Sequence, residues 1–227
     1  MKSILKVAIA LVLTAGAAQA QGINIGAKGS LNLTNIPKFT VIESLGQDLK
    51  YMATGGGALF AEIPLDANFS FRPEIAYNRR GGKLEGLNLG SGNIGQIIGN
   101  LANARLNLDY IDIPLLFKYN ISTEGEGSPY VVAGPSLGFM VGHTMSNSIL
   151  GLIDLNYNVN MNFKNFDLGG VVGLGYEMPL NGKMKGFVEA TYRQGFLNAV
   201  DNFGPVKVDS KTSNFGISAG VSFPVGK

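Results

Sequence analysis

From Ile111 to Tyr119 the apolar residues Ile111, Ile113, Leu115, Phe117 and Tyr119 fall on every second position, with Asp112 and Lys118 between them. A period of two predicts a β-strand, whose successive side chains point to opposite faces. The same alternation recurs along the chain. Residues 22–35 set Ile23, Ile25, Ala27, Leu31 and Leu33 against Asn24, Lys28, Ser30, Asn32 and Thr34. Residues 51–63 set Leu59, Ala61 and Ile63 against Ala58, Phe60 and Glu62, and 68–78 set Phe69, Phe71, Ile75 and Tyr77 against Ser70, Arg72 and Glu74. After the strand at 105–119, residues 129–143 offer Val131, Ala133, Leu137, Phe139 and Val141 against Gly134, Ser136 and Gly138. Residues 167–178 offer Leu168, Val172, Leu174, Tyr176 and Met178 against Gly169, Gly173, Gly175 and Glu177. Residues 186–197 offer Val188, Ala190 and Tyr192 against Glu189, Thr191 and Arg193, and 212–225 offer Phe215, Ile217, Ala219, Val221 and Phe223 against Asn214, Gly216, Ser218, Gly220 and Ser222.

Eight such strands, oily on one face and polar or small on the other, predict an all-β fold: an eight-stranded antiparallel transmembrane β-barrel, apolar outward. Closure follows because lipid offers no partner to an open sheet edge. The connections alternate in length. Segments 65–67, 120–128 and 181–185 are short to moderate, whereas 36–50, 81–104, 144–165 and 198–211 are longer, which places the short turns and both termini on the periplasmic side. Pro64, Pro114, Pro179 and Pro224 each follow an acid or serine and one apolar residue, and are expected to mark strand ends on that rim. With 0 Trp, the interfacial girdle falls to Tyr77, Tyr110, Tyr119, Tyr130, Tyr176 and Tyr192. The alternative is a soluble, lipocalin-like barrel with the oily face inside. The uncharged oily set, the Gly, Ser and Asn of the other face, and the alternating loops favour the membrane.

Residues 1–20 read as a cleaved signal peptide, leaving 21–227 as the outer-membrane barrel domain. Lys2 and Lys6 supply the positive start, 7–15 the apolar stretch, and Ala18 and Ala20 the small residues before the cut. Removal of two lysines takes the formal charge from +2 to 0, which argues against a nucleic-acid surface. The chain has 0 cysteines, 32 glycines and only 15% charged residues, and no apolar run after residue 20 is long enough for a spanning helix. The expected location is the outer membrane of a Gram-negative bacterium.

The candidate site is the inward face. Lys28, Arg72, Lys118 and Arg193 stand against Glu62, Glu74, Asp112, Glu177 and Glu189, four cations to five anions. Near-cancellation suits a paired network that closes the lumen, since buried charges are costly unless paired; a narrow porin-like path for small solutes is the alternative. Gly134, Gly138, Gly169, Gly173, Gly175, Gly216 and Gly220 would make room for the arms of Arg72 and Arg193. A lipid A-modifying enzyme would have to use His143, the 1 histidine, with Ser136, Ser146 or Ser148, but no base-and-orienter pattern surrounds it. No catalytic residue, metal or cofactor is therefore expected. The partners expected are outer-membrane lipid and a protein or ligand at the long loops, with the chain itself monomeric. Within 81–104, Ile94, Ile97, Ile98 and Leu101 have helical spacing, and 144–165 is expected to extend the strands as a hairpin.

Residues 25–36 (IGAKGSLNLTNI), 110–119 (YIDIPLLFKY), 129–140 (PYVVAGPSLGFM), 166–180 (FDLGGVVGLGYEMPL) and the closing FGISAGVSFPV resemble the PorT-family outer-membrane β-barrel domain common in Bacteroidetes. The resemblance covers the whole mature chain. It implies a porin-like outer-membrane barrel, a namesake linked to a secretion system, and no catalytic signature. The C-terminus departs from the usual terminal aromatic of such barrels, because Phe223 is followed by Pro224, Val225, Gly226 and Lys227.

Overall fold

The computed structural model describes residues 22–35, 49–84, 104–121, 126–149, 153–157, 165–197 and 211–225. The expected signal peptide at 1–20, the helical spacing at 94–101 and the last two residues lie outside the described residues. Ten strands form one antiparallel sheet: β1 (Ile23–Asn35), β2 (Leu49–Lys50), β3 (Met52–Pro64), β4 (Phe69–Leu84), β5 (Ala104–Asn120), β6 (Ser128–Ile149), β7 (Ile153–Tyr157), β8 (Phe166–Pro179), β9 (Lys185–Gly195) and β10 (Ser213–Val225). Eight of them run in the order β4-β3-β1-β10-β9-β8-β6-β5, and β4 pairs with β5 to close the barrel. The short β2 and β7 add to β4 and β6 beyond that wall. The β6–β7 pairing is the hairpin expected in 144–165, and β4 and β6 run further than the sequence pattern suggested, to Leu84 and Ile149.

The faces decide the solvent. Leu31, Leu59, Leu174 and Ile217 on the outer surface are 78%, 67%, 67% and 59% exposed, whereas Arg72, Lys118 and Glu189 are 1–2% exposed. A water-soluble calyx would show the reverse. Oily side chains outside and paired charges inside belong in a bilayer.

One rim gathers the short turns. Ile23 lies opposite Val225, the β3–β4 turn is held by Leu65 and Asp66 amides donating to the Phe69 carbonyl, and the β8–β9 turn uses Gly182 at φ 62°. That left-handed conformation is open to glycine at no steric cost. Pro64, Pro179 and Pro224 lie at this rim as expected, but Pro114 does not. It sits inside β5 opposite Ser136, and the β4–β5 ladder is interrupted beside it at Glu74 and Ile75. Pro73 and Pro135 occupy the adjoining strands at the same level. A proline has no N–H to give, so the prolines cluster where the ladder is already broken.

The girdle also differs from the tyrosine expectation. Tyr77, Tyr119, Tyr176 and Tyr192 face outward and are 42–47% exposed, but Tyr110 and Tyr130 are 0% and 1% exposed and point into the lumen. Phenylalanines supply much of the outer belt: Phe69 stacks on Phe117 at 5.6 Å near the short-turn rim, and Phe139 meets Phe166 at 5.5 Å nearer the other. Tyr77 donates to Asp109 (2.9 Å), which also pairs with Arg79 (2.8 Å), at the level where the β4–β5 wall leaves the apolar zone.

Candidate functional site

Inward side chains meet in three tiers along the lumen, each with two cations and two carboxylates. The lowest, at the short-turn rim, is Lys118 between Glu62 (3.0 Å) and Glu177, with Lys185 on the other oxygen of Glu177 (2.9 Å). In the middle tier Lys28 bridges Glu74 and Glu189, both at 2.9 Å, and Arg72 reaches the same two carboxylates at 3.0 and 2.6 Å. The Tyr130 hydroxyl donates to Glu189 at 3.1 Å. In the upper tier Arg80 pairs with Asp112 and with Asp167 (2.9 Å), and Arg193 pairs with Asp167 (2.8 Å) and lies 4.0 Å from Asp112.

All nine charged residues singled out from the sequence lie inside the lumen and take part in these pairs. Arg80, Asp167 and Lys185 are the members that the sequence reading lacked. Parity held the signal for two of them. Arg80 continues the inward series Arg72, Glu74, Ala76 and Asn78, and Asp167 precedes Gly169 on the inward side of β8. With them, four cations against five anions become six against six.

An apolar layer lies between the lowest and middle tiers. Phe60, Leu116, Tyr130, Val132 and Phe187 belong to one buried cluster, with Phe60 and Phe187 edge to face at 5.6 Å. Arg72 lies 5.4 Å above the Phe60 ring, and the Lys118 ammonium lies 4.5 Å above the Tyr130 ring. Each cation thus keeps favourable electrostatics on its apolar side, through the negative ring face. The upper tier repeats the device, with Arg80 over Tyr110 at 4.2 Å.

The lumen glycines serve other side chains than the two arginines. Only Gly169 borders an arginine arm: a Cβ there would stand 3.0 Å from the Arg193 guanidinium. Gly175 leaves space for Tyr130, Gly220 for Phe187, and Gly216 for Asn32, while a Cβ on Gly134 would land on the Leu115 carbonyl of the neighbouring strand. The bulky lumen rings take the room that the sequence reading gave to the arginines.

His143 is exposed within β6, where the strand was expected to end. Ser136 is buried in the same strand seven positions away, roughly 23 Å at the usual rise, so the two share no reaction centre. The side chains of Ser146 and Ser148 lie outside the described residues.

A closed eight-stranded wall with an oily outside and a charge-paired inside defines an outer-membrane barrel of the smallest size class. The profile of the outer membrane protein beta-barrel domain matches residues 17–201, and the chain belongs to that family and to the outer membrane. Among solved structures it is similar to the outer membrane protein OprG from Pseudomonas aeruginosa, with 12% identity over 91% of this chain and 97% of that one and a TM-score of 0.53. Neisserial surface protein A gives 16% identity over 89% and 97% of the two chains, with a TM-score of 0.46. No curated protein sequence matches the chain.

Proposed function

We propose that this is a monomeric, non-enzymatic barrel with a closed lumen, which anchors long extracellular loops for a structural or surface-interaction role. The observation that carries the reading is the stacked obstruction: three neutral ion-pair tiers and an interlocked aromatic layer lie across one narrow bore. Ions crossing it would have to part pairs whose members, Lys185 at the rim apart, are almost wholly buried, at a cost of several kcal/mol per pair. In this reading residues 1–20 direct export, the barrel sits within the PorT-like branch of the family, and a protein or ligand is met by the segments joining the strands outside the cell. Solute efflux from liposomes carrying the refolded mature chain tests closure, with a heat-dependent gel shift to report folding. Tight liposomes are expected, and solute-permeable ones would overturn the closed lumen. Loss of a copurifying protein or ligand on excision of 85–103, which leaves β4 and β5 whole, tests the surface role.

A narrow channel is the second reading, favoured by the polar cavity between the middle and upper tiers. It requires that neutralising Arg72 or Arg193 change a measurable current. Unchanged, silent bilayers would remove it.

A further inference from the structure

The lumen is not filled evenly. Between the middle and upper tiers lies a cavity of about 60 Å³, bounded by Lys28 and Glu74 at one end and Asp112 and Arg193 at the other. Its walls carry Ser30, Asn32, Ser136, Thr191, Asn214 and Ser218, hydroxyls and amides without formal charge. At roughly 15 Å³ per water it has room for about four waters or one solute of similar bulk.

Two wall groups point to an occupant. Ser136 and Asn214 are 0% and 8% exposed, and Ser136 Oγ and Asn214 Oδ1 have no hydrogen-bond partner among the described residues. Buried polar atoms are almost always satisfied, and leaving one unpaired costs free energy. Both atoms belong to strands on different sides of the same cavity, so one bound hydrogen-bonding molecule can serve them together.

The two ends of the cavity are not equally closed. Toward the periplasm, Lys28 and Arg72 each reach both carboxylates of the middle tier, and the aromatic layer is packed beneath. Toward the outside, Arg80 and Arg193 share one oxygen of Asp167, the other Asp167 oxygen and the Tyr110 hydroxyl lack partners among the described residues, and Arg193 stands 4.0 Å from Asp112. Above that tier the described lumen side chains include Thr34, Met52 and Leu108, with no aromatic ring locked against another. In the upper tier and beside it four buried polar atoms, Arg80 Nε, Arg193 Nε, Asp167 Oδ1 and the Tyr110 hydroxyl, lack hydrogen-bond partners among the described residues, against one, Arg72 Nε, in the middle tier.

We propose that this chamber is a binding site for one small uncharged hydrogen-bonding solute, of the amide or short polyol class, entered from the extracellular side by parting of the Arg193–Asp167 latch. Entry without passage is compatible with a closed lumen, so leaking liposomes would not decide it.

The chain has 0 cysteines, so Ser136→Cys or Asn214→Cys places the only thiol in the chamber. Iodoacetamide, itself a small neutral amide, is the probe, applied to the refolded full mature chain after the gel shift has shown folding. Both thiols are expected to be alkylated in the folded barrel, more slowly in the presence of acetamide but not of sucrose. Adding Asp167→Asn should raise the rate about tenfold, the effect of losing one charge-assisted hydrogen bond, whereas Glu62→Gln, in the lowest tier beneath the aromatic layer, should leave it unchanged. Thiols that stay inert until unfolding, with or without Asp167→Asn, would overturn the site. Acceleration by Glu62→Gln alone would overturn the direction of entry.

Discussion

Replacing Glu189 by Gln isolates the electrostatics of the lumen with almost no change of shape. The Glu189 side chain is 0% exposed and accepts from Lys28 Nζ (2.9 Å), Arg72 Nη2 (2.6 Å) and the Tyr130 hydroxyl (3.1 Å). Gln fills the same volume, but the middle tier then holds two cations against Glu74 alone. Removing one partner of a buried pair costs about 3–5 kcal/mol, chiefly because the other charge is left uncompensated. The amide oxygen still accepts one hydrogen bond, so the low end, about 3 kcal/mol, is expected. Neutralising a cation as well, in Lys28→Met with Glu189→Gln, restores tier neutrality, and the pair should recover about 1–3 kcal/mol relative to the sum of the single variants. Reversible urea unfolding from lipid vesicles measures both, followed by tyrosine fluorescence because the chain has 8 Tyr and 0 Trp. A cost below about 1 kcal/mol for the single variant, with no recovery in the double, would mean that water screens these charges as it does at a protein surface. The closed lumen would then fall.

Other outcomes follow from the same geometry. Gly134→Ala should destabilise by about 1–3 kcal/mol through overpacking against the β5 backbone, whereas Gly29→Ala, with nothing within 4 Å of its Cβ, should be near neutral; unfolding midpoints check both. Val172→Arg, midway along the outer face of β8, should cost about 2–4 kcal/mol in a bilayer against about 0–1 kcal/mol for Tyr176→Arg near the rim, and equal values would contradict the lipid-facing assignment. Tyr130→Phe should cost about 1.5 kcal/mol through the bond to Glu189, while Tyr110→Phe, whose hydroxyl has no partner among the described residues, should cost nothing. If single variants conduct at all, reversal potentials should follow the charge left behind: anion preference for Glu189→Gln, cation preference for Lys28→Met.

Strand parity carried most of this fold. In a barrel wall each residue faces either lipid or lumen, so the period-two pattern separates Leu31 and Ile217 from Lys28 and Ser218 without any structure. Structure and expectation part where a residue-type preference competes with parity. Tyr110 shares its parity with Asp112, and Tyr130 with Val132, and both enter the lumen although tyrosine is a residue of membrane interfaces. Gly81 and Gly82 read as a loop, which cut β4 short and hid Arg80. Pro114 read as a strand end, although an interrupted ladder accommodates it inside β5. The tiers themselves could not be read. Arg72 meets Glu189 across 117 positions of sequence, and which charges share a level depends on the stagger of eight strands around the closed wall.

Grouping by tier changes what the charge count means. Six cations and six anions scattered along a bore would leave local fields of either sign, and each such field would draw a counterion and its water inward. Neutrality within every tier removes that pull at each level separately. The pairs remain short and, Lys185 at the rim apart, almost dry, and their attraction is strengthened by the low-polarity wall. The aromatic layer can lie between two charged tiers for the same reason: Arg72 and Lys118 each face a ring on one side and carboxylates on the other. Under the proposed closed lumen, closure rests on local charge balance, and a single neutralised side chain opposes it more effectively than a larger change that keeps its tier neutral.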